Sequence, residues 1–154
     1  MKKKKIIYID MDGVIVDFDS AIKKLDLAIV EEYTGRYDEV PGIFRIMEPI
    51  PNAIESVCEL AKIHDVYILS SASWLNDSSW SDKIWWLKKY FGEDKDSPIY
   101  KRLILSHNKH LAKGDILIDD RTKNGAKKFD GEFIQFGVGE YTDWQKIMEI
   151  LLNE

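Results

Sequence analysis

The stretch YIDMDGVIVDF, residues 8–18, ends a β-rich apolar run with two carboxylates, Asp10 and Asp12, separated by one apolar residue. On an extended chain, side chains two residues apart project to the same side, about 7 Å apart at the backbone. At roughly 5 Å and an effective dielectric near 20, such a pair repels by about 3 kcal/mol, so it needs a cation, a proton or full solvation. Solvation alone is the plainest of the three. Three further groups bear on the choice: Ser70 and Ser71 after a second apolar run, Lys109 near a third, and Asp119 and Asp120 at the end of a fourth. Hard oxygen donors with no Cys or His at ligand spacing suit magnesium, which keeps several waters and accepts one or two carboxylates plus phosphate oxygens. A lysine and hydroxyls beside the ion supply the charge and donors for equatorial phosphoryl oxygens. Phosphoryl transfer is therefore the leading chemistry.

These residues converge only if the elements beneath them deliver them to one place. KIIYID (5–10), VYILSS (66–71), RLILS (102–106), DILID (115–119) and EFIQFG (132–137) read as short buried strands. Helical patterns alternate with them. Pro51 opens PNAIESVCELAKI, and SDKIWWLKKYFG carries Trp80, Ile84, Leu87 and Phe91 on one stripe before Gly92. Thr142 and Gln145 have the spacing of a capping box for a last helix with Trp144, Ile147, Met148 and Leu151 inward. Alternation of this kind predicts an α/β fold, a mostly parallel sheet covered on both sides, whose ligands bind beyond the carboxyl ends of its strands. All the acidic, hydroxyl and lysine groups above fall at that edge. Residues 17–48 break the alternation: a helical stretch, SAIKKLDLAIVEEY, precedes the aperiodic TGRYDEVPGIFRIMEP, and together they predict a small insertion over the first strand.

Composition bounds the class. A chain of 154 residues that is 45% hydrophobic and 12% aromatic is expected to be one domain, residues 1–154, with a real core. The net charge of -5 argues against a nucleic-acid polymer or an anionic membrane as partner, while leaving room for a small anion. Lys2–Lys5 resemble the head of an export signal, but the apolar stretch behind them stops at Asp10, and no run reaches the roughly 18 apolar residues of a membrane span. A cytoplasmic location is the expectation. The single cysteine, Cys58, shares a helical stripe with Ile54, Val57 and Ala61 and reads as a core thiol.

In order along the chain, DMDGV (10–14), the apolar strand ending in Ser70, Lys109 and IDD (118–120) resemble the haloacid dehalogenase-like phosphatases, whose sheet is Rossmann-like with a cap inserted after the first strand. Six segments, from DMDGVIVDF through FRIMEPIPNAIESVCEL, DVYILSSAS, WWLKKYFG and LILSHNKHLAKGDILIDDRTKNG to GEFIQFG, narrow the resemblance to the 5′(3′)-deoxyribonucleotidases. The resemblance implies a magnesium-dependent phosphomonoester hydrolase acting on (deoxy)nucleoside monophosphates. Asp10 would be the nucleophile and Asp12 the general acid and base. Magnesium would be held by the Asp10 and Asp120 carboxylates and the Asp12 carbonyl, with Asp119 close behind. Ser70 would bind a phosphoryl oxygen, and Lys109 would pair with phosphate and Asp10. Lys113 competes for the lysine role, being nearer the fourth strand, but SHNKH stands where the resembling enzymes carry their lysine.

Gly13 would allow the sharp turn that brings backbone close to metal and phosphate. Phe18 corresponds to an aromatic that stacks on the base, with core packing of the insertion as its alternative. Ser71, Phe44, Arg45, Trp74 and Arg121 are the further substrate-binding candidates. His107 and His110 are read as surface residues, and Trp80, Trp85 and Trp86 as core. The insertion is shorter than in the better-known enzymes, which implies relaxed selectivity or a lid completed by a homodimer. Two alternatives accompany this reading: the same chemistry on sugar phosphates or broad phosphomonoesters, and a non-enzymatic phospho-aspartate receiver. A receiver carries its acidic pair on the first strand, whereas here the pair is on the late one.

Overall fold

The computed structural model describes residues 2–153. In chain order it contains β1 (Ile6–Ile9), β2 (Val16–Asp17), α1 (Phe18–Ile22), α2 (Leu27–Glu32), β3 (Glu48–Pro49), α3 (Ala53–Ile63), β4 (Asp65–Ser70), α4 (Ser78–Phe91), β5 (Leu103–Leu105), β6 (Ile116–Asp119), β7 (Glu132–Gln135) and α5 (Trp144–Asn153). Five strands form one parallel sheet in the order β5-β4-β1-β6-β7. β1 is thus central, and its IIYI sequence is buried on both faces, as a strand with neighbours on each side requires.

Both faces are covered, unequally. Ile7, Ile9, Ile68, Ile116 and Ile118 face the helices α3, α4 and α5, whose Val57, Leu60, Trp86, Leu87, Trp144 and Ile147 complete the larger core. The alternate residues Tyr8, Leu69 and Leu117 pack under Ala126 and Phe129, beside the 3-10 turn Ala126–Lys128. Cys58 is partly buried against the larger core, and burial, followed by the charges of Glu55 and Glu59, pushes its thiol upward in pKa. That disfavours the thiolate a nucleophile needs.

The inserted region is not one helix. Its helical stretch is broken between α1 and α2 at Lys23–Asp26, and the 3-10 turns Tyr37–Glu39 and Ile43–Arg45 follow. Both ends of the insertion are pinned together, because β2 pairs antiparallel with β3, Val16 opposite Pro49 and Asp17 opposite Glu48. Trp86 fastens it to the sheet-side layer by donating its indole N–H to the Met47 carbonyl at 2.9 Å. No described helix is long and apolar enough to cross a membrane.

Three local expectations are corrected. α5 is capped by Asp143, whose carboxylate accepts from the Lys146 N–H at 2.9 Å, so the Thr142–Gln145 capping box does not form. The buried face of α4 runs through Ser79, Asp82, Lys83, Trp86, Leu87 and Phe91, and only one of its three tryptophans, Trp86, is core. Trp80 and Trp85 are each 37% exposed. A helix turns about 100° per residue, so seating Lys83 and Trp86 inward turns Trp85 out, where Arg45 and Lys89 cover its ring.

Candidate active site

The first acidic pair does not lie on one strand. β1 stops at Ile9, and Asp10 continues the sheet by one bond, its N–H donating to the Ile118 carbonyl at 2.9 Å. The chain then folds back, with the amides of Val14, Ile15 and Val16 all directed at the Met11 carbonyl. Gly13 makes this turn with φ +77°, and a Cβ there would sit 2.1 Å from Asp120 Oδ2. Glycine is required both for the backbone conformation and for the close approach of the late acidic pair.

Asp10, Asp119 and Asp120 form a cluster whose carboxylate oxygens come within 4.8 Å of one another. Lys109 binds two of them: its Nζ is 3.0 Å from Asp10 Oδ1 and donates to Asp119 Oδ2 at 2.6 Å. The other Asp119 oxygen accepts from the Arg121 N–H at 3.0 Å. Asp119 is thus fully engaged, whereas Asp120 Oδ1 and Asp12 Oδ1 are buried with no hydrogen-bond partner among the described residues. Buried anionic oxygens without donors are costly unless a cation neutralises them, and an all-oxygen set of this kind fits a hard divalent ion. Lys113 lies exposed before β6, at the opposite edge of the sheet, its carbonyl accepting from the Tyr8 hydroxyl.

Electrostatics agree with the geometry. Asp10 is pushed up to about 7, chiefly by burial, with Lys109 pulling down and Asp119 and Asp12 pushing further up. Burial also raises Asp119, against the Lys109 charge and hydrogen bond, and raises Asp120, with Asp10 adding to it. For Lys109, burial works against the ammonium, but the Asp10 and Asp119 charges outweigh it and the net direction is up.

A second lysine completes the floor, and sequence reasoning missed it. Lys83 is 0% exposed, donates to Asp12 Oδ2 at 2.8 Å and to Ser70 Oγ at 2.9 Å, and lies 4.6 Å from the Phe44 ring centre. The one sequence signal for it was its place between Trp80 and Trp86 on a helix facing the sheet's rim, and a lysine there reads as a solvated face. This ammonium pairs with Asp12 as Lys109 pairs with Asp10, so each acid of the first pair has its own lysine.

Above the floor opens a cavity of about 790 Å³ between the insertion and the loops after β1, β4, β5 and β6. That is the size of a small-molecule site. Asp12, Phe18, Phe44, Ser71, Trp74, Asp120 and Arg121 all line it. Phe18 and Phe44 pack edge to face at 5.9 Å, Ser71 Oγ donates to the Ser106 carbonyl at 2.7 Å, and Trp74 stands 74% exposed at the rim. Two expectations change. Arg45 turns away to Asp82, Nε to Oδ1 at 2.6 Å. His107, expected on the surface, lines the cavity with its ring between Trp74 and Trp80, while His110 is exposed. His107 Nε2 lies 2.8 Å from the Ala72 carbonyl, which can only accept, so Nε2 carries the hydrogen.

A parallel sheet whose central strand and its β6 neighbour meet in an acidic rim, under an insertion that leaves the first strand, is the fold of a haloacid dehalogenase-like hydrolase. The chain is a phosphomonoesterase of that class. Residues 28–147 match the family described as 5′ nucleotidase, deoxy (pyrimidine), cytosolic type C. A Vibrio phage KVP40 protein named for 5′(3′)-deoxyribonucleotidase is 51% identical over 151 residues, which span 98% of this chain and 86% of that protein. A Staphylococcus aureus (strain Mu50) protein of the same name is 31% identical, covering 86% of this chain and 82% of its own. The human mitochondrial 5′(3′)-deoxyribonucleotidase is 28% identical over 75% of this chain and 61% of its length. The chain belongs to the 5′(3′)-deoxyribonucleotidase family.

Proposed function

We propose that this protein is a magnesium-dependent, cytoplasmic nucleotidase that releases phosphate from deoxynucleoside monophosphates, working as one phosphatase domain, residues 1–154, with residues 17–48 as its cap. The observation that carries the reading is the convergence of Asp10, Asp119 and Asp120 within 4.8 Å, with Asp120 lining a cavity that Phe18 and Phe44 also line. The acidic rim suits the phosphoryl group and its counter-ion, and the rings suit a flat base.

The Asp10 carboxylate attacks phosphorus while the ester P–O bond breaks, and Asp12 delivers its proton to the departing sugar oxygen. Asp12 then takes a proton from water as that water attacks the aspartyl phosphate, which returns Asp10 to a carboxylate and frees inorganic phosphate. Ser70 and Lys109 bind phosphoryl oxygens, and Lys83 orients Asp12 through the 2.8 Å contact. Asp10 and Asp120, with the Asp12 carbonyl, would hold magnesium, and Asp119 holds Lys109. When bound, the ion neutralises charge on the phosphoryl oxygens. Phe18, Phe44, Ser71, Trp74 and Arg121 contact the nucleoside and phosphate.

Phosphate release is to be measured on a panel of deoxynucleoside, ribonucleoside and sugar monophosphates with magnesium or with a chelator. Nucleotides are expected to exceed sugar phosphates at least tenfold in kcat/KM, with activity lost on chelation. Equal turnover of glucose 6-phosphate and nucleotides would move the assignment to a broad phosphatase.

Metal binding also has a pH signature that needs no turnover. Without metal, Asp10 rises from an ordinary carboxylate value of 3.8 to about 7 on folding, so it weighs against the folded state as pH climbs from the lower value through the upper one. A divalent ion replaces that proton. Magnesium is therefore expected to raise the melting temperature by several degrees at about pH 8 and by much less at about pH 5.5. A shift of equal size at both pH values would contradict the assignment of Asp10 as a ligand.

A further inference from the structure

One side of α4 holds the cap. Ser78, Asp82 and Trp86 recur at helical spacing and meet successive residues of the cap segment 42–47. Ser78 Oγ accepts from the Gly42 N–H at 2.9 Å, Asp82 Oδ1 accepts from Arg45 Nε at 2.6 Å, and the Trp86 indole donates to the Met47 carbonyl at 2.9 Å. The two outer contacts use cap backbone, so the middle one is the contact of this row that depends on a cap side chain.

Asp82 is 3% exposed, and its other oxygen, Oδ2, is buried with no hydrogen-bond partner among the described residues. A buried carboxylate held by one cation depends on that cation. The Arg45 guanidinium also lies 4.9 Å from the Trp85 ring centre, which steadies it on a second side. The residues next in sequence touch as well. Phe44, beside Arg45, has its ring centre 4.6 Å from Nζ of Lys83, beside Asp82. Lys83 in turn donates to Asp12 Oδ2 and Ser70 Oγ. Two consecutive cap residues thus grip two consecutive residues of α4, and the inner contact stands directly behind the proposed acid.

We propose, building on the nucleotidase reading above, that Arg45 is a positioning residue for protonation of the leaving group: through Asp82 it seats Phe44 on Lys83, the ammonium that fixes Asp12. The ring keeps water from that ammonium, and a drier ion pair holds its geometry more firmly. Without Arg45, Ser78 and Trp86 still hold the ends of the segment, while Asp82 loses its counter-charge and the middle of the segment loosens. Phe44 loosens with it, water reaches Lys83, and Asp12 is held less well in line with the departing oxygen. The step affected is cleavage of the ester P–O bond as Asp10 bonds to phosphorus, with the bond's electron pair and the Asp12 proton both going to the sugar oxygen. An alkoxide needs that proton to leave. A thiolate is a far weaker base and departs without it.

The test compares thymidine 5′-monophosphate with two esters whose leaving groups need no proton. One is its analogue with sulfur in place of the bridging 5′ oxygen, which keeps base, sugar and phosphoryl group; the other is p-nitrophenyl phosphate. Arg45→Met is expected to lower kcat/KM about tenfold on the oxygen ester of thymidine and less than about threefold on the other two. Arg45→Lys, which keeps a cation, recovers part of that loss. Asp82→Asn breaks the same pair without stranding a buried charge, shows the same selective loss, and serves as the test if Arg45→Met fails to fold. Equal loss on all three esters, or no loss on any, in a folded variant would overturn the role of Arg45 and leave the nucleotidase reading intact. A wild type that hydrolyses p-nitrophenyl phosphate but neither thymidine ester would remove both.

Discussion

Asp10→Asn is expected to lower phosphate release by roughly four orders of magnitude or more, on every substrate and at every magnesium concentration. The amide is close to isosteric with the carboxylate but cannot supply the attacking oxygen, and it removes one negative charge from the Asp10, Asp119, Asp120 cluster. Folding should not suffer. Asp10 is buried and its carboxylate is pushed up to about 7, so the metal-free variant should melt no lower than wild type near neutral pH. Lys109 retains its 2.6 Å bond to Asp119. The stabilisation by magnesium should shrink at the same time, because one of its proposed ligands is gone. Activity within tenfold of wild type in a folded variant would take the nucleophile's role away from Asp10.

The second large effect concerns Lys83. Lys83→Met is expected to lower kcat by about 10²- to 10³-fold with little change in KM, a size typical of lost acid-base assistance. The ammonium bridges Asp12 Oδ2 and Ser70 Oγ, so its loss frees the proposed acid to swing away from the leaving oxygen. Stability is the readout that separates this from a mere packing role. A fully buried ammonium is expensive to desolvate, but removing it alone leaves the Asp12 carboxylate, whose Oδ1 is already buried without a partner among the described residues, with no compensating charge, and that is destabilising. Lys83→Met alone should therefore lower the melting temperature as kcat falls, and adding Asp12→Asn should restore the melting temperature without restoring kcat. A double variant that regains activity along with its melting temperature would make Lys83 a structural residue.

The two pairs of aspartates differ in what their spacing reveals. Asp119 and Asp120 end a strand and were legible as a pair at the sheet's rim. Asp10 and Asp12 were legible as chemistry but misplaced in detail, because extended geometry was assumed for a segment in which Met11's carbonyl collects three amides and the chain doubles back. Gly13 marked that turn in the sequence. Its tighter reason, that a Cβ there would collide with Asp120 Oδ2, comes from a partner more than a hundred residues away.

Residues whose roles depend on a helix's rotation or on the cap's seat were not legible. Lys83 sits in SDKIWW, where charge alone suggests solvent, and only the packing of α4 against the cap and sheet turned it inward and Trp85 outward. The same packing drew Arg45 to Asp82 rather than to the cavity, and set His107 edge-on to Trp74 and tilted against Trp80. In the insertion, weak periodicity left the broken helix and its 3-10 turns unspecified.

By itself, then, the sequence determined the strand-helix alternation, the parallel sheet and the acidic, hydroxyl and lysine groups at its carboxyl edge, because strand period and strand ends are local properties of the chain. Tertiary structure alone decided which lysine faces Asp12, which side chains of α4 turn inward and which carboxylates are left short of a partner. Those outcomes depend on how whole elements rotate and seat to fill a shared core, and no short stretch of residues contains that information.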